Sequence, residues 1–181
     1  EPDPPYNRPS LSKDYLAGAK TLERILIRPQ QFWEERKITP LLGRRVEKIF
    51  PYQKSVRTSD GERLSYGKLV WAAGGRPRRL ACPGEHLEGV LSVRSRADVD
   101  AIRAKLSHAR RVVIVGGGYV GLEAAAALTG AERQIVLLHA SPRLLSRVAG
   151  EPVSRFFEAE HRARGVDVRT GVGVRSIEGE A

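Results

Sequence analysis

The sequence predicts an α/β fold organised on a parallel sheet, and three observations predict it. The apolar run Val112-Val113-Ile114-Val115 suits a parallel strand buried on both faces. A glycine-rich turn, Gly116-Gly117-Gly118-Tyr119-Val120-Gly121, follows it directly and opens an alanine-rich helix over 122–128. A second apolar strand over 134–138 then closes a strand–turn–helix–strand unit of about thirty residues. Beyond it the pattern continues with a helix over 151–164 and strands over 166–169 and 172–177, so the order is β-α-β-α-β-β. The chain has 181 residues, enough for one large domain or two small ones.

Before that unit the chain reads differently. Pro2, Pro4, Pro5 and Pro9 exclude a central strand or helix interior from the first eleven residues, because proline lacks the backbone donor that both need. Ser12 is expected to cap a short helix over 13–17 that stops at Gly18. A semi-apolar stretch over 21–27 ends at Arg28-Pro29, and 30–37 reads as another short helix holding Phe32 and Trp33. Strand periodicity then appears over 43–52, through Val46, Ile49 and Phe50, and again over 54–58. The turn dipeptide Asp60-Gly61 leads into a third antiparallel strand over 62–71, expected to run inward at Leu69-Val70-Trp71. Residues 76–95 are loop-like, and 96–106 show helical spacing through Ala97, Val99, Ile102 and Leu106.

Composition sets limits on function. Hydrophobic residues are 41% and charged residues 29%, the balance of a globular chain. Cys82 is the only cysteine, so an internal disulfide or a cysteine zinc site is excluded. No apolar stretch approaches the ~20 residues that span a bilayer, and the charged N-terminal residues do not resemble a signal peptide. The expected location is the cytoplasm, with no membrane contact. The net charge is +10, and 24 of the 31 basic residues are arginine. The excess is spread through the chain, with 17 basic against 11 acidic residues up to Val90 and 14 against 10 beyond it. No aromatic interleaves the densest cluster, Arg76, Arg78 and Arg79, which argues against nucleic acid and for an acidic partner or phosphate-bearing ligand.

The glycine turn is the strongest chemical signal. Gly116, Gly118 and Gly121 fit G-x-G-x-x-G after a strand and before a helix, the arrangement that binds a dinucleotide. Gly116 permits the tight turn, Gly118 lets a pyrophosphate approach the main chain, and Gly121 lets helix and strand pack closely. The helix N-terminus offers free amides and partial positive charge to the phosphates. Glu123 stands in the first turn of that helix, where a dipole-stabilising acid is one reading and a role beside the nicotinamide another. At the end of the second strand, where an Asp or Glu would accept from the adenosine ribose, the sequence has His139. Loss of that charge-assisted hydrogen bond should weaken NADH binding roughly 10- to 100-fold and remove the repulsion of a 2′-phosphate. Relaxed or NADPH-leaning preference is the expectation, with Arg143 and Arg147 as nearby sources of positive charge.

Several segments carry a family resemblance. Pro5-Tyr6-Asn7-Arg8-Pro9-Ser10-Leu11-Ser12-Lys13-Asp14-Tyr15-Leu16 resembles the PYxRPPLSKxYL stretch of flavin-dependent ferredoxin reductases that serve oxygenases, the putidaredoxin-reductase-like group. The stretch from Leu69 to Leu80 is similar to its LVLATGxRPRRL, Val113 to Ala125 to its VVIGGGYIGLEAA, and His139 to Val148 to its EAxPRVLxRV. The resemblance covers almost the whole chain. It implies a Rossmann-like, three-layer β/β/α FAD/NAD(P)-binding fold, with a partial FAD-binding domain over 1–90 and an NAD(P)H-binding domain over 91–181 that lacks its closing strand.

The resemblance also implies an activity: hydride passes from NADH or NADPH to FAD, and single electrons pass on to an iron–sulfur ferredoxin, expected to be acidic. Carried over by position, Arg8, Pro9 and Lys13 would contact FAD, with Lys13 at the ring edge. Val46 would touch the adenine, and Ala72, Ala73 and Gly74 would pack on the FAD backbone. Gly116, Gly117, Gly118, Tyr119, Val120 and Gly121 would hold the nicotinamide dinucleotide, Glu123 would lie beside nicotinamide and flavin, and His139 and Arg147 would meet the adenosine part. Lys13 and Glu123 are therefore the catalytic candidates. His139 in place of Glu and Ala73 in place of Thr depart from the family pattern. The family's first glycine fingerprint would precede Glu1 and its later Gly-Asp motif would follow Ala181, so the 181 residues alone are expected to bind FAD weakly and to be inactive. An open sheet edge suggests a monomer or weak homodimer. Alternatives are the flavin subunit of a nitrite-reductase or coenzyme A-disulfide-reductase type, and a non-catalytic nucleotide- or nucleic-acid-binding module.

Overall fold

A computed structural model describes residues 1–130 and 133–179. They form two compact units, one of Glu1–Asn7 with Leu26–Arg76 and one of Arg8–Ile25 with Pro77–Ala181. Packing thus divides the chain at Arg76, not at Val90, and joins residues 8–25 to the glycine-turn unit.

In the second unit, a 3₁₀ turn over Arg8–Ser12 leads through further turns to the short helix α1 (Leu22–Ile25). The expected helix over 13–17 is absent. Ser12 ends the 3₁₀ turn and caps nothing, and its hydroxyl is committed elsewhere, as described below. Gly18 stops the turns with φ +76, a conformation open to glycine.

The first unit holds α2 (Gln30–Glu35) and an antiparallel meander of β1 (Val46–Phe50), β2 (Ser55–Thr58) and β3 (Arg63–Ser65). The β2–β3 turn is built by Asp60, whose Oδ1 accepts from Thr58 Oγ1 at 2.6 Å and from the Glu62 amide at 3.2 Å, with Gly61 at φ +85. The third strand is much shorter than the sequence predicts. It stops at Ser65, and Leu69, Val70 and Trp71 lie outside any ladder and are exposed, Val70 at 88%. No described strand pairs with them, and without a pairing partner an apolar run does not become a strand.

The parallel sheet of the second unit has the order β4 (Arg111–Val115), β5 (Gln134–His139), β6 (Val166–Thr170). The register runs Val112 to Ile135 to Val166, and Ile114 to Leu137 to Val168. Helix α3 (Arg96–Leu106) precedes β4, α4 (Tyr119–Leu128) links β4 to β5, and α5 (Glu151–Ala163) links β5 to β6. Leu122, Ala125 and Leu128 of α4 are buried, and so are Ile135 and Leu137 of β5 and Val166 and Val168 of β6.

Two expectations fail here. β5, not β4, is the strand buried on both faces. Alternate residues of β4 are exposed, Val113 at 53% and Val115 at 44%, so one face of this strand is uncovered among the described residues. Residues 172–177 form no strand. They are held by single hydrogen bonds, Val172 N–H to His139 O at 3.1 Å and Ile177 N–H to Pro83 O at 2.8 Å. An added Cβ on Gly84 would lie 1.9 Å from the Ile177 carbonyl oxygen, so the 83–84 loop fills the space beside this segment.

Candidate functional site: a glycine turn and an ion pair

The chain leaves β4 through Gly116, whose amide still donates to Leu138 O at 2.8 Å, and turns with φ +121. Only glycine adopts that angle without strain. Gly121 is needed for a different reason: a Cβ there would lie 1.9 Å from the Gly116 carbonyl oxygen and 3.5 Å from Ile114 Cγ2. Gly118 is the N-cap of α4 and offers no side-chain acceptor to the first helical amides. A Cβ on it would meet nothing within 4 Å. The three roles assigned to the motif therefore have separate structural counterparts. Unpartnered amides, helix dipole and open approach at Gly118 fit a diphosphate. Tyr119 and Val120 in the first turn of α4 are exposed, at 57% and 50%.

Five residues beyond Gly118, Glu123 is met from the far end of the sequence. Its Oε1 lies 2.7 Å from Lys13 Nζ, and its Oε2 accepts from Ser12 Oγ at 2.6 Å. Burial works to raise its carboxyl, but the hydrogen bonds from Lys13 and Ser12 and the Lys13 charge outweigh it and hold the group below the ordinary carboxylate value. Both side chains stay reachable, Lys13 at 47% and Glu123 at 29% exposure. Lys13 also reaches Pro9 O at 3.5 Å, and Arg8 donates to Arg94 O at 2.8 Å.

The segment that delivers Lys13 is anchored by its neighbours. Tyr15 is buried, donates to Asp100 Oδ1 at 2.8 Å and lies under the Arg103 guanidinium at 5.4 Å. Burial, followed by the Asp100 contact, raises its phenol. Asp100 is also bound by Arg96. Behind Glu123, the buried His161 places Nδ1 2.8 Å from Phe157 O and Nε2 3.1 Å from Leu122 O, tying α5 to the first turns of α4. Sequence reasoning missed Ser12, Tyr15, Asp100 and His161 as supports. Only Ser12 and Tyr15 carried a signal, since they flank Lys13 in the same motif.

At the end of β5, His139 Nδ1 accepts the Gly117 amide at 3.1 Å, and Leu145 N–H donates to Gly117 O at 2.9 Å. Thus His139 touches the glycine turn, a contact the sequence does not announce. Arg143 is spent on its own loop and on α5, donating to Ala149 O, Ser154 Oγ and Ser146 O at 2.6, 2.7 and 3.1 Å. Arg147 is exposed. Val46 and Ala72, Ala73 and Gly74 belong to the first unit, where Gly74 has φ +68. Among the described residues no group of three or more His, Cys, Asp or Glu could hold a metal, and no helix is long and apolar enough to cross a membrane.

A parallel strand entering a glycine turn that opens a helix defines a dinucleotide-binding fold. The chain belongs to the pyridine nucleotide-disulphide oxidoreductase family, whose model matches residues 1–181. It is 53% identical over 180 residues to the ferredoxin reductase subunit of the 5,5′-dehydrodivanillate O-demethylase of Sphingobium sp., covering 99% of this chain and 44% of that protein. It is 54% identical over the same length to a ferredoxin–NAD(P)(+) reductase of Sphingomonas sp., with the same coverage. Among solved structures, it resembles putidaredoxin reductase in its covalent complex with putidaredoxin, with a TM-score of 0.92 and 39% identity over 98% of this chain and 43% of the other. A ferredoxin reductase of Rhodopseudomonas palustris gives a TM-score of 0.94 at 30% identity, over 99% and 44%. The chain thus spans under half the length of these relatives.

Proposed function

We propose that these residues form the nicotinamide-nucleotide site and part of the flavin site of an NAD(P)H-dependent ferredoxin reductase. The observation that carries this reading is the contact of Ser12 and Lys13 with Glu123 at the mouth of the glycine turn. Such a pair brings the Lys13 cation to a carboxylate 110 residues later in the chain, on the helix that the glycine turn opens. Nicotinamide and flavin, when bound, supply the hydride and single-electron chemistry.

The residues of the chain do the rest. Gly116 and Gly117, whose own amides are spent on Leu138 O and His139 Nδ1, shape the turn so that the amides of Gly118, Tyr119, Val120 and Gly121 hold the diphosphate, with His139 and Arg147 at the adenosine end. Arg8, Pro9, Val46, Ala72, Ala73 and Gly74 contribute to the FAD site, and residues 1–90 and 91–181 divide functionally into flavin and nicotinamide-nucleotide portions. Lys13 places positive charge where reduced flavin gathers negative charge, a favourable electrostatic arrangement. Glu123 orients Lys13, whose ammonium lies 2.7 Å from the carboxylate and also reaches Pro9 O at 3.5 Å. An acidic iron–sulfur ferredoxin is the partner that fits a net charge of +10, and the cytoplasm is the compartment in this reading.

The test is stopped-flow reduction of flavin in the whole gene product, followed by turnover with a [2Fe–2S] ferredoxin. Lys13→Met and Glu123→Gln should each slow flavin reduction by about 10²-fold while leaving nucleotide binding within a few-fold. Flavin reduction at unaltered rates in both variants would sink the assignment.

A further inference from the structure

We propose that the adenosine end of this nucleotide site takes a 2′-phosphate, so that NADPH serves the chain at least as readily as NADH. The inference rests on the dinucleotide-site reading above and adds the chemical class of the reductant. It starts from the ring of His139. Nδ1 accepts the Gly117 amide at 3.1 Å, so this nitrogen carries no proton and the ring proton lies on Nε2. Nε2 is itself buried and has no partner among the described residues. With one nitrogen spent on the turn and the other covered, the imidazole presents no acceptor to a ribose hydroxyl.

A carboxylate at this position could do three things: accept the turn amide with one oxygen, accept from the ribose with the other, and repel a phosphate by its charge. His139 keeps the first and loses the other two. No Asp or Glu occurs between residues 133 and 150, so no neighbour in the loop restores the lost charge. The two arginines there divide the work. Arg143 is locked into three hydrogen bonds, two within its loop and one to Ser154 of α5. Arg147 is exposed and makes no hydrogen bond or ion pair among the described residues. Its loop is tied to the same turn by Leu145, two residues earlier, which donates to Gly117 O at 2.9 Å with φ +52. Arg147 is therefore the cation available to a 2′-phosphate, whose oxygens its guanidinium can meet in pairs.

The test titrates 2′,5′-ADP and 5′-ADP into the protein by calorimetry. These probes carry the adenosine half alone, so neither flavin nor electron transfer enters the readout. The 2′-phosphorylated probe should bind at least as tightly as 5′-ADP. Arg147→Ala should weaken it about tenfold or more, a clearly larger loss than the same variant shows for 5′-ADP. His139→Glu should reverse the order of the two probes. Tighter binding of 5′-ADP by the unaltered protein overturns the proposal, as does an equal loss of both probes in Arg147→Ala. If His139→Glu does not fold, the Arg147 variant, which alters an exposed side chain, still decides. Failure of both probes to bind removes the dinucleotide site and this inference with it. The expected order in a protein that passes no electrons to flavin leaves the inference standing and removes only the reductase reading.

Discussion

Glu123 and the motif glycines make separable predictions at the scale of single residues. The Glu123 carboxyl titrates below its ordinary value of 4.5 in the folded chain, so the folded state binds its proton less readily than the unfolded state does. Its contribution to stability is therefore complete above pH 4.5 and is lost as the pH falls through the lower folded value. Lys13 is nearly half exposed and the pair is partly screened, so Glu123→Gln should cost only about 1 kcal/mol at pH 7. Urea midpoints of the two proteins should converge as the pH drops below 4.5, and a gap that persists or widens in acid would contradict the assignment. The glycines separate folding from binding. Gly121→Ala forces a Cβ onto a backbone carbonyl and should destabilise by about 1–3 kcal/mol. Gly118→Ala meets open space at φ −90 and should leave stability unchanged or raise it by about 0.4–1 kcal/mol, yet weaken NAD(P)H binding about tenfold or more by occupying the approach of the diphosphate. Melting curves with and without nucleotide distinguish the two. All of these positions were visible in the sequence, but the partners of Glu123 were not. Ser12 was misread because a serine hydroxyl beside an apolar run is equally suited to cap a helix and to serve a distant carboxylate.

At the scale of elements, α3 shows what local sequence can specify. Its bounds, Arg96–Leu106, match the helical spacing, and Ser95 caps it reciprocally with Asp98: Ser95 Oγ accepts from the Asp98 amide at 3.2 Å, and Asp98 Oδ2 from the Ser95 amide at 2.8 Å. Ser95→Ala should cost about 1 kcal/mol and Ser95→Gly only a few tenths, read from urea unfolding. Because Asp100 of α3 holds Tyr15, two residues from Lys13, loosening this helix should also raise amide exchange over 13–18. Strands were less legible than helices. The apolar run at Leu69-Val70-Trp71 has strand composition but no ladder, and β4 has the composition of a fully buried strand but exposes alternate residues. A helix closes its hydrogen bonds within itself, so its signal is local. A strand exists only through its neighbours, and its burial depends on which elements cover its two faces.

At the scale of the molecule, charge is the property that predicts behaviour. The surplus of ten positive charges is distributed along the sequence, and most of it is carried by arginine. Long-range attraction of this kind raises encounter rates with an acidic partner and is screened within about 8–10 Å at ordinary ionic strength. In the whole gene product, kcat/KM for ferredoxin should fall several-fold between about 20 and 300 mM salt, while reduction of a small neutral acceptor stays flat; equal salt sensitivity of both would refute charge steering. The division into units was only partly legible. The change of pattern between an antiparallel and a parallel region was clear, but the membership of residues 8–25 in the second unit was not, because a proline-rich loop followed by short turns carries no periodicity that names its partner. Sequence by itself determined the glycine turn, the helix it opens and the absence of an acid at the end of β5, since each depends on residues a few positions apart along one stretch of backbone. Only the tertiary structure decided that Ser12 and Lys13 meet Glu123, that His139 spends its acceptor on the turn and that Arg147 stays exposed, because those outcomes depend on which side chains packing brings together across up to 111 residues of chain.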